Sequence, residues 1–73
     1  MAISDRPGSM AVAPDGDMVP AIRAAIKGYV RRFGTMPAVV YLRPSESAPL
    51  MVDGVPVHFN AHIGLRQALA AGE

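Results

Sequence analysis

The sequence predicts a small α+β domain in which one N-terminal amphipathic helix packs on a three-stranded, mostly antiparallel sheet. Three observations lead to this prediction. Apolar residues recur at helical spacing over residues 18–33, a short apolar run follows between two prolines, and an Asp-Gly pair then separates two further apolar runs. Helical periodicity followed by β-rich runs and a hairpin signal is typical of a single α+β domain.

The predicted helix over residues 18–33 has a start, an apolar face and a stop. Asp17 is a favourable N-cap, and Pro20 lies in the first turn, where its missing N–H costs little. Gly34 follows the last apolar residue, as expected for a left-handed C-cap. The apolar stripe consists of Ile22, Ile26, Tyr29, Val30 and Phe33, so we expect these side chains to face the core.

Residues 38–43 are rich in β-branched and aromatic side chains and predict a strand. Val40 and Leu42 share one face of this strand, and Val39 and Tyr41 share the other. Both faces are apolar, and a single helix can cover only one of them. We therefore predict that Val39 and Tyr41 form a protein interface.

The Asp53-Gly54 pair is a strong hairpin signal, because a type I′ turn needs positive φ at both central residues. Pro56 cannot donate a ladder hydrogen bond, which predicts an edge position for the second arm. Residues 63–71 leave two alternatives open: a short C-terminal helix, or a bend at Gly64 between strands. The predicted core joins the helix stripe to Val40, Leu42, Met51, Val55 and Val57.

The start of the chain has turn-forming residues and no sustained periodicity, so residues 1–16 are predicted to form a flexible N-terminal arm. The triplet Gly8-Ser9-Met10 also resembles a cloning remnant ahead of a native start methionine. Residues 17–73 then form the single domain.

The composition favours association. Hydrophobic residues make up 51% of the 73 residues and charged residues 18%, against about 25% charged in an average globular domain. A domain this small buries a limited share of its surface, and without cysteine it has no disulfide to stabilise it. We therefore predict a non-catalytic interaction or assembly module that forms a homo-oligomer or binds a protein partner. With no apolar run long enough for a membrane span and no secretory leader, the expected location is cytoplasmic.

The sequence predicts no catalytic, metal or cofactor site and no small-molecule substrate. His58 and His62 are four residues apart, a metal-ligand spacing on a helix, but His58 falls in a predicted strand and Asn60 lies between them. No serine lies in a Gly-x-Ser-x-Gly motif, and no glycine-rich phosphate loop is present. The acidic residues have structural roles as caps and turn residues, which leaves no pair for acid–base catalysis.

One feature of the helix supports an alternative function. Arg23, Lys27 and Arg31 recur every four residues on the face opposite the apolar stripe, with Arg32 to one side. Exposed cations of this kind contact phosphates in nucleic-acid-binding proteins. The alternatives are a small nucleic-acid-binding regulator and a solvated surface that keeps the protein soluble. With a net charge of only +1, nucleic-acid binding is expected to be weak and sensitive to salt.

Overall fold

The computed structural model describes residues 8–72, which form one helix and five strands. In chain order the elements are β1 (Gly8–Val12), α1 (Met18–Phe33), β2 (Val39–Leu42), β3 (Met51–Val52), β4 (Val55–Phe59) and β5 (Gln67–Ala71). The predicted α+β class is confirmed. The strands form one sheet, and α1 packs across one of its faces, mainly over β5 and β1. Within residues 8–72, no helix combines the length and hydropathy needed to cross a membrane.

Helix α1 has the bounds that its sequence signals predict. At its start, the Asp17 carboxylate accepts a hydrogen bond from the Val19 N–H at 3.3 Å. At its end, Gly34 adopts φ 76°, and its N–H donates to the Val30 carbonyl oxygen at 2.8 Å. Both contacts satisfy backbone groups that a helix terminus leaves without an intrahelical partner. The helix is therefore defined by local chemistry at each end.

We expect Gly34→Ala to lower the free energy of unfolding by about 1 kcal/mol, because an alanine Cβ disfavours the left-handed conformation. No atom lies within 4 Å of the position that a Cβ would occupy at Gly34, so the cost comes from the backbone alone. Urea denaturation measures the change, and Thr35→Ala is the neighbouring control. Equal stability of Gly34→Ala and the parent chain would contradict this role for Gly34.

The strand order is β1-β5-β2-β4-β3, which corrects the predicted three strands to five; the sheet is mixed, with most of its pairings antiparallel. Strand β1 was not predicted, and β5 was one of the two alternatives left open for residues 63–71. β2 pairs with β4 in parallel, while the other three pairings are antiparallel. Because β5 occupies one side of β2, the hairpin can join only the other side. The predicted edge position of the Pro56 strand is also wrong: β4 is internal, and Pro56 precedes its first residue paired with β2, Val57.

The C-terminal segment is a strand, so the helical alternative for residues 63–71 is wrong. β5 spans Gln67–Ala71 and lies between β1 and β2. The bend expected at Gly64 precedes it, where the Gln67 N–H donates to the Gly64 carbonyl oxygen at 3.3 Å. Arg66 completes the change of direction with φ 59°. Pairing on both sides of β5 outweighs the helical preference of its alanines and leucine.

The N-terminal arm predicted for residues 1–16 also needs correction, because residues 8–12 form β1. This strand pairs with β5 from Gly8↔Ala71 to Val12↔Gln67. The triplet that resembles a cloning remnant is part of β1, and a Cβ added at Gly28 of α1 would collide with the Ser9 Oγ. The arm prediction for residues 1–7 lies outside the described residues.

The core lies between α1 and the sheet. Its most buried side chains are Met18, Ile22, Ala25, Ile26 and Tyr29 of the helix and Val40, Leu42, Val55, Val57, Ala68 and Ala70 of the sheet. Three predicted core residues are instead exposed: Val30 by 37%, Phe33 by 40% and Met51 by 60%. Val30 lies at the margin of the helix stripe. Phe33 is the last residue of the helix, and its ring centroid lies 4.6 Å from that of Tyr29, with the ring planes tilted by 48°. Met51 points to the other side of the sheet.

Candidate functional site

The sheet has a second face on which none of the described helices or strands packs. Side chains alternate along a strand, so Val40 and Leu42 of β2 point toward α1, whereas Val39 and Tyr41 point away. Val39 is buried, yet it is not part of the core cluster beneath the helix. We call this side the open face; its side chains are Met10, Val12, Val39, Tyr41, Met51, Pro56, His58, Gln67, Leu69 and Ala71.

The open face is neutral and mostly apolar. None of its positions carries an aspartate, glutamate, lysine or arginine. Near its centre, the Tyr41 and His58 rings meet edge to face, with centroids 6.3 Å apart. Toward its margins, Met10 is 52% exposed, Val12 58% and Met51 60%. Large apolar side chains gathered on one exposed surface are typical of association sites.

The two residues that the sequence singled out, Val39 and Tyr41, lie together on the open face in β2, the middle strand of the five. Their neighbours across the β2–β5 ladder are Ala71 and Leu69. The role of Val39 and Tyr41 in a protein interface remains a prediction. The sequence did not identify Met10, Val12 or Leu69 as part of this surface, because it did not predict β1 and left residues 63–71 open between helix and strand. The only available signal was the period-two alternation of those two short runs.

The four basic residues of α1 do not form one uniform surface. Arg23, Lys27 and Arg31 are exposed, as is Arg32. Arg23 Nε lies 3.6 Å from Asp53 Oδ2 in the β3–β4 turn, with both side chains more than half exposed. Such surface ion pairs contribute little to stability, but this one places a negative charge beside Arg23. The Arg32 guanidinium lies 5.6 Å from the centroid of the Phe33 ring.

The two histidines lie on different elements. His58 is on the open face in β4, whereas His62 is in the following turn, where its N–H donates to Asn60 Oδ1 at 2.8 Å. No group of three or more metal-ligating side chains occurs among residues 8–72. In this part of the chain, no third metal-ligating side chain joins His58 and His62 in a possible metal site.

A cleft of about 440 Å³ lies between the end of β1 and the first turns of α1, lined by Val12, Ala13, Pro14, Asp15, Asp17, Pro20, Ala21 and Ala24. Both carboxylates in it accept backbone hydrogen bonds: Asp15 from the Asp17 N–H at 3.2 Å, and Asp17 from the Val19 N–H at 3.3 Å. These contacts are those of a helix cap and its approaching turn. The walls of the cleft are therefore mostly apolar, and its two carboxylates are already hydrogen-bonded to the backbone.

The open face differs in its chemistry from the cleft and from the two histidines. It is broad, neutral and continuous across all five strands, whereas the cleft and the histidines offer few polar groups that converge on one point. Specific small-molecule sites depend on such convergence. No protein-family model, no curated protein and no solved structure matches this chain.

Proposed function

We propose that this protein is a non-catalytic assembly module that forms a homo-oligomer by packing its open face against the open face of a second copy. One observation carries the proposal: within residues 8–72, α1 packs on one side of the sheet only, and the strands present apolar side chains without a charged residue on the other side. Removing such a surface from water is favourable in proportion to its apolar area.

A second copy is a suitable occupant because a neutral face is compatible with itself. Two identical charged faces would repel each other, whereas the open face contains no like charges to bring together. Two sheets can pack face to face with interdigitated side chains. A standard interface buries roughly 800 Å² per partner, and the principal-axis extents of the molecule are 27 × 27 × 20 Å.

The proposal assigns the protein no catalytic step, metal, cofactor or small-molecule substrate. Within residues 8–72, several acidic groups have roles in the fold: Asp17 caps α1, and Glu46 Oε2 accepts a hydrogen bond from the Arg66 N–H at 2.7 Å. Asp53 occupies the hairpin turn with φ 53°. A cytoplasmic location belongs to this proposal as the sequence predicted it.

We expect Tyr41→Glu to weaken open-face association at least a hundredfold, because an unpaired carboxylate buried at an interface costs about 3 kcal/mol or more. Light scattering coupled to size exclusion, over a range of protein concentrations, measures the change as a fall in assembly mass. Because apolar burial drives the contact, the parent assembly should persist at high salt.

The matched control is Leu65→Glu, which adds the same charge to a loop side chain that is 62% exposed and lies outside the open face. It should keep the parent mass. Far-UV circular dichroism shows whether each variant is folded. A folded Tyr41→Glu variant with the parent mass, or a parent chain that is monomeric at every concentration, would overturn the proposal.

The basic side of α1 supports a second, weaker candidate, a nucleic-acid-binding regulator. Lys27 and Arg31 are exposed on the helix face that points away from the sheet, where phosphates could reach them. Asp53 beside Arg23 reduces the positive charge of this surface. The same chromatography separates the two functions: nucleic acid that co-elutes at low salt and dissociates at high salt would favour the regulator.

A further inference from the structure

The two edges of the sheet differ in how they are protected. The β3 edge is two residues long and ends in the Asp53 turn, beside the Arg23–Asp53 ion pair. The β1 edge is five residues long and contains neither a charged residue nor a proline. Natural sheets protect exposed edges with short strands, charges or prolines, because unpaired edge groups bind another strand. Only the β3 edge has such protection among the described residues.

The backbone groups that β1 leaves free can be identified. The Ala13 N–H donates to the Arg66 carbonyl oxygen at 2.8 Å, which continues the β1–β5 ladder one step past Val12↔Gln67. In an antiparallel ladder, alternate residues direct both backbone groups to the same neighbour. Ser9 and Ala11 therefore pair with β5, in phase with Ala13. Gly8, Met10 and Val12 direct their N–H and C=O groups away from the sheet.

We infer that β1 is a second association site, whose occupant is the β1 strand of another copy of this chain in antiparallel orientation. The outward residues are symmetric about Met10. A two-fold axis at that residue pairs Met10 with Met10 and Gly8 with Val12 of the second copy. This register uses the outward backbone groups of Gly8, Met10 and Val12 on both strands. The side chains of Met10 and Val12 stay on the open face, next to the seam between the two copies.

The position of α1 also favours a second copy of the chain as the occupant of the β1 edge. Because α1 lies over β1 and β5 and strands are spaced about 4.8 Å apart, the two-fold axis places the two helices about 10 Å apart, which is helix-packing distance. The flank that meets the second helix carries small residues: Ala24, which lines the cleft at the end of β1, and Gly28, above Ser9. These residues leave room for close approach.

The charges of the two helices are also complementary in this arrangement. The axis makes the helices antiparallel, so the last turn of one lies along the first turn of the other. The last turn carries Arg31 and Arg32; the first turn has no acidic residue, but the N-cap Asp17 and Asp15 immediately precede it. Opposite charges therefore face each other at both ends of the contact, which favours a second copy over an unrelated extended peptide.

The two association surfaces share Met10 and Val12 but use different groups of these residues: the edge uses their backbone N–H and C=O groups, and the open face uses their side chains. The β1 edge joins two sheets side by side, and the open face joins sheets front to front. Together they form a closed tetramer in which two ten-stranded sheets pack with the helices outside. The edge contact stands on its own observations, and it is testable in a Tyr41→Glu background, where the open face is disrupted.

In that background we expect a dimer by light scattering. Adding Met10→Pro should convert it to a monomer, because proline removes an outward N–H and leaves the Ser9 and Ala11 bonds to β5 intact. Adding Met10→Ala, which removes the side chain and keeps the N–H, should leave the dimer. A monomer in the Tyr41→Glu background, or a dimer that survives Met10→Pro, would overturn the inference.

Hydrogen exchange gives a second readout that does not depend on a variant. In the parent assembly, the Met10 and Val12 amides should exchange as slowly as those of Ser9 and Ala11, which are bonded to β5 in every state. Fast exchange at Met10 and Val12 beside slow exchange at Ser9 and Ala11 would show that the edge is free, even if the open face associates as proposed.

Discussion

Leu42→Ala is expected to lower the free energy of unfolding by roughly 2–5 kcal/mol, through lost burial and the cavity that remains. Leu42 is 0% exposed. It lies in β2, level with Ala68 of β5 on one side and Phe59 of β4 on the other. Since a domain has a total stability of about 5–15 kcal/mol, and a small one tends to the low end, this change removes a large fraction of it.

Leu50→Ala makes the same chemical change at a side chain that is 75% exposed, and it should alter stability by about 0.5 kcal/mol or less. Urea unfolding of both variants at one protein concentration measures the difference, since association would add a concentration-dependent term. Similar losses at Leu42 and Leu50 would show that the side of β2 that faces α1 is not the core.

Local signals explain which elements the sequence predicted. The bounds of α1 follow from Asp17 and Gly34, each of which acts within one turn of the helix. The β3–β4 hairpin follows from Asp53-Gly54, because both residues have positive φ, 53° and 81°. In each case the residue that determines the conformation and the backbone it satisfies are neighbours in the chain.

The unpredicted elements depend on partners that are distant in the chain. β1 is a strand because it pairs with β5, some sixty positions later, from Gly8↔Ala71 onward. The order of β2, β4 and β5 likewise depends on which strand reaches the free side of β2. No periodicity within one segment encodes such a choice, so the sequence suggested a three-stranded sheet and an N-terminal arm.

The candidate site could be predicted only in part, for the same reason. Val39 and Tyr41 could be identified because β2 is apolar on both faces, and one helix covers one face. The rest of the open face lies on strands whose neighbours the sequence could not order. Met51 illustrates the difficulty: it was expected in the core, but its pairing with Pro56 places it on the open face. A one-residue shift in register exchanges the two faces of a strand.

Ala70→Leu is expected to destabilise the fold by about 1–3 kcal/mol, because added methyl groups in a packed core force side chains and backbone to move. Ala70 is 0% exposed and lies between the sheet and α1. Ser9 of β1 and Val40 of β2 flank it in the sheet. A larger side chain at this position would push the helix away from the strand that it contacts most.

The neighbouring residue provides the control. Ala71→Leu adds the same atoms on the open face, where Ala71 is half-buried and no helix lies above it. Both variants are compared in the Tyr41→Glu background, where the open face is not packed against a second copy. There Ala71→Leu should keep its stability within about 0.5 kcal/mol, as surface substitutions usually do. Thermal or urea unfolding measures the stability of the two variants, and the variant that is less stable identifies the side of β5 that faces α1. If residues 63–71 formed a helix instead, residues 70 and 71 would not lie on opposite faces, and leucine and alanine have similar helix propensities. Equal stability of Ala70→Leu and Ala71→Leu would therefore contradict the strand.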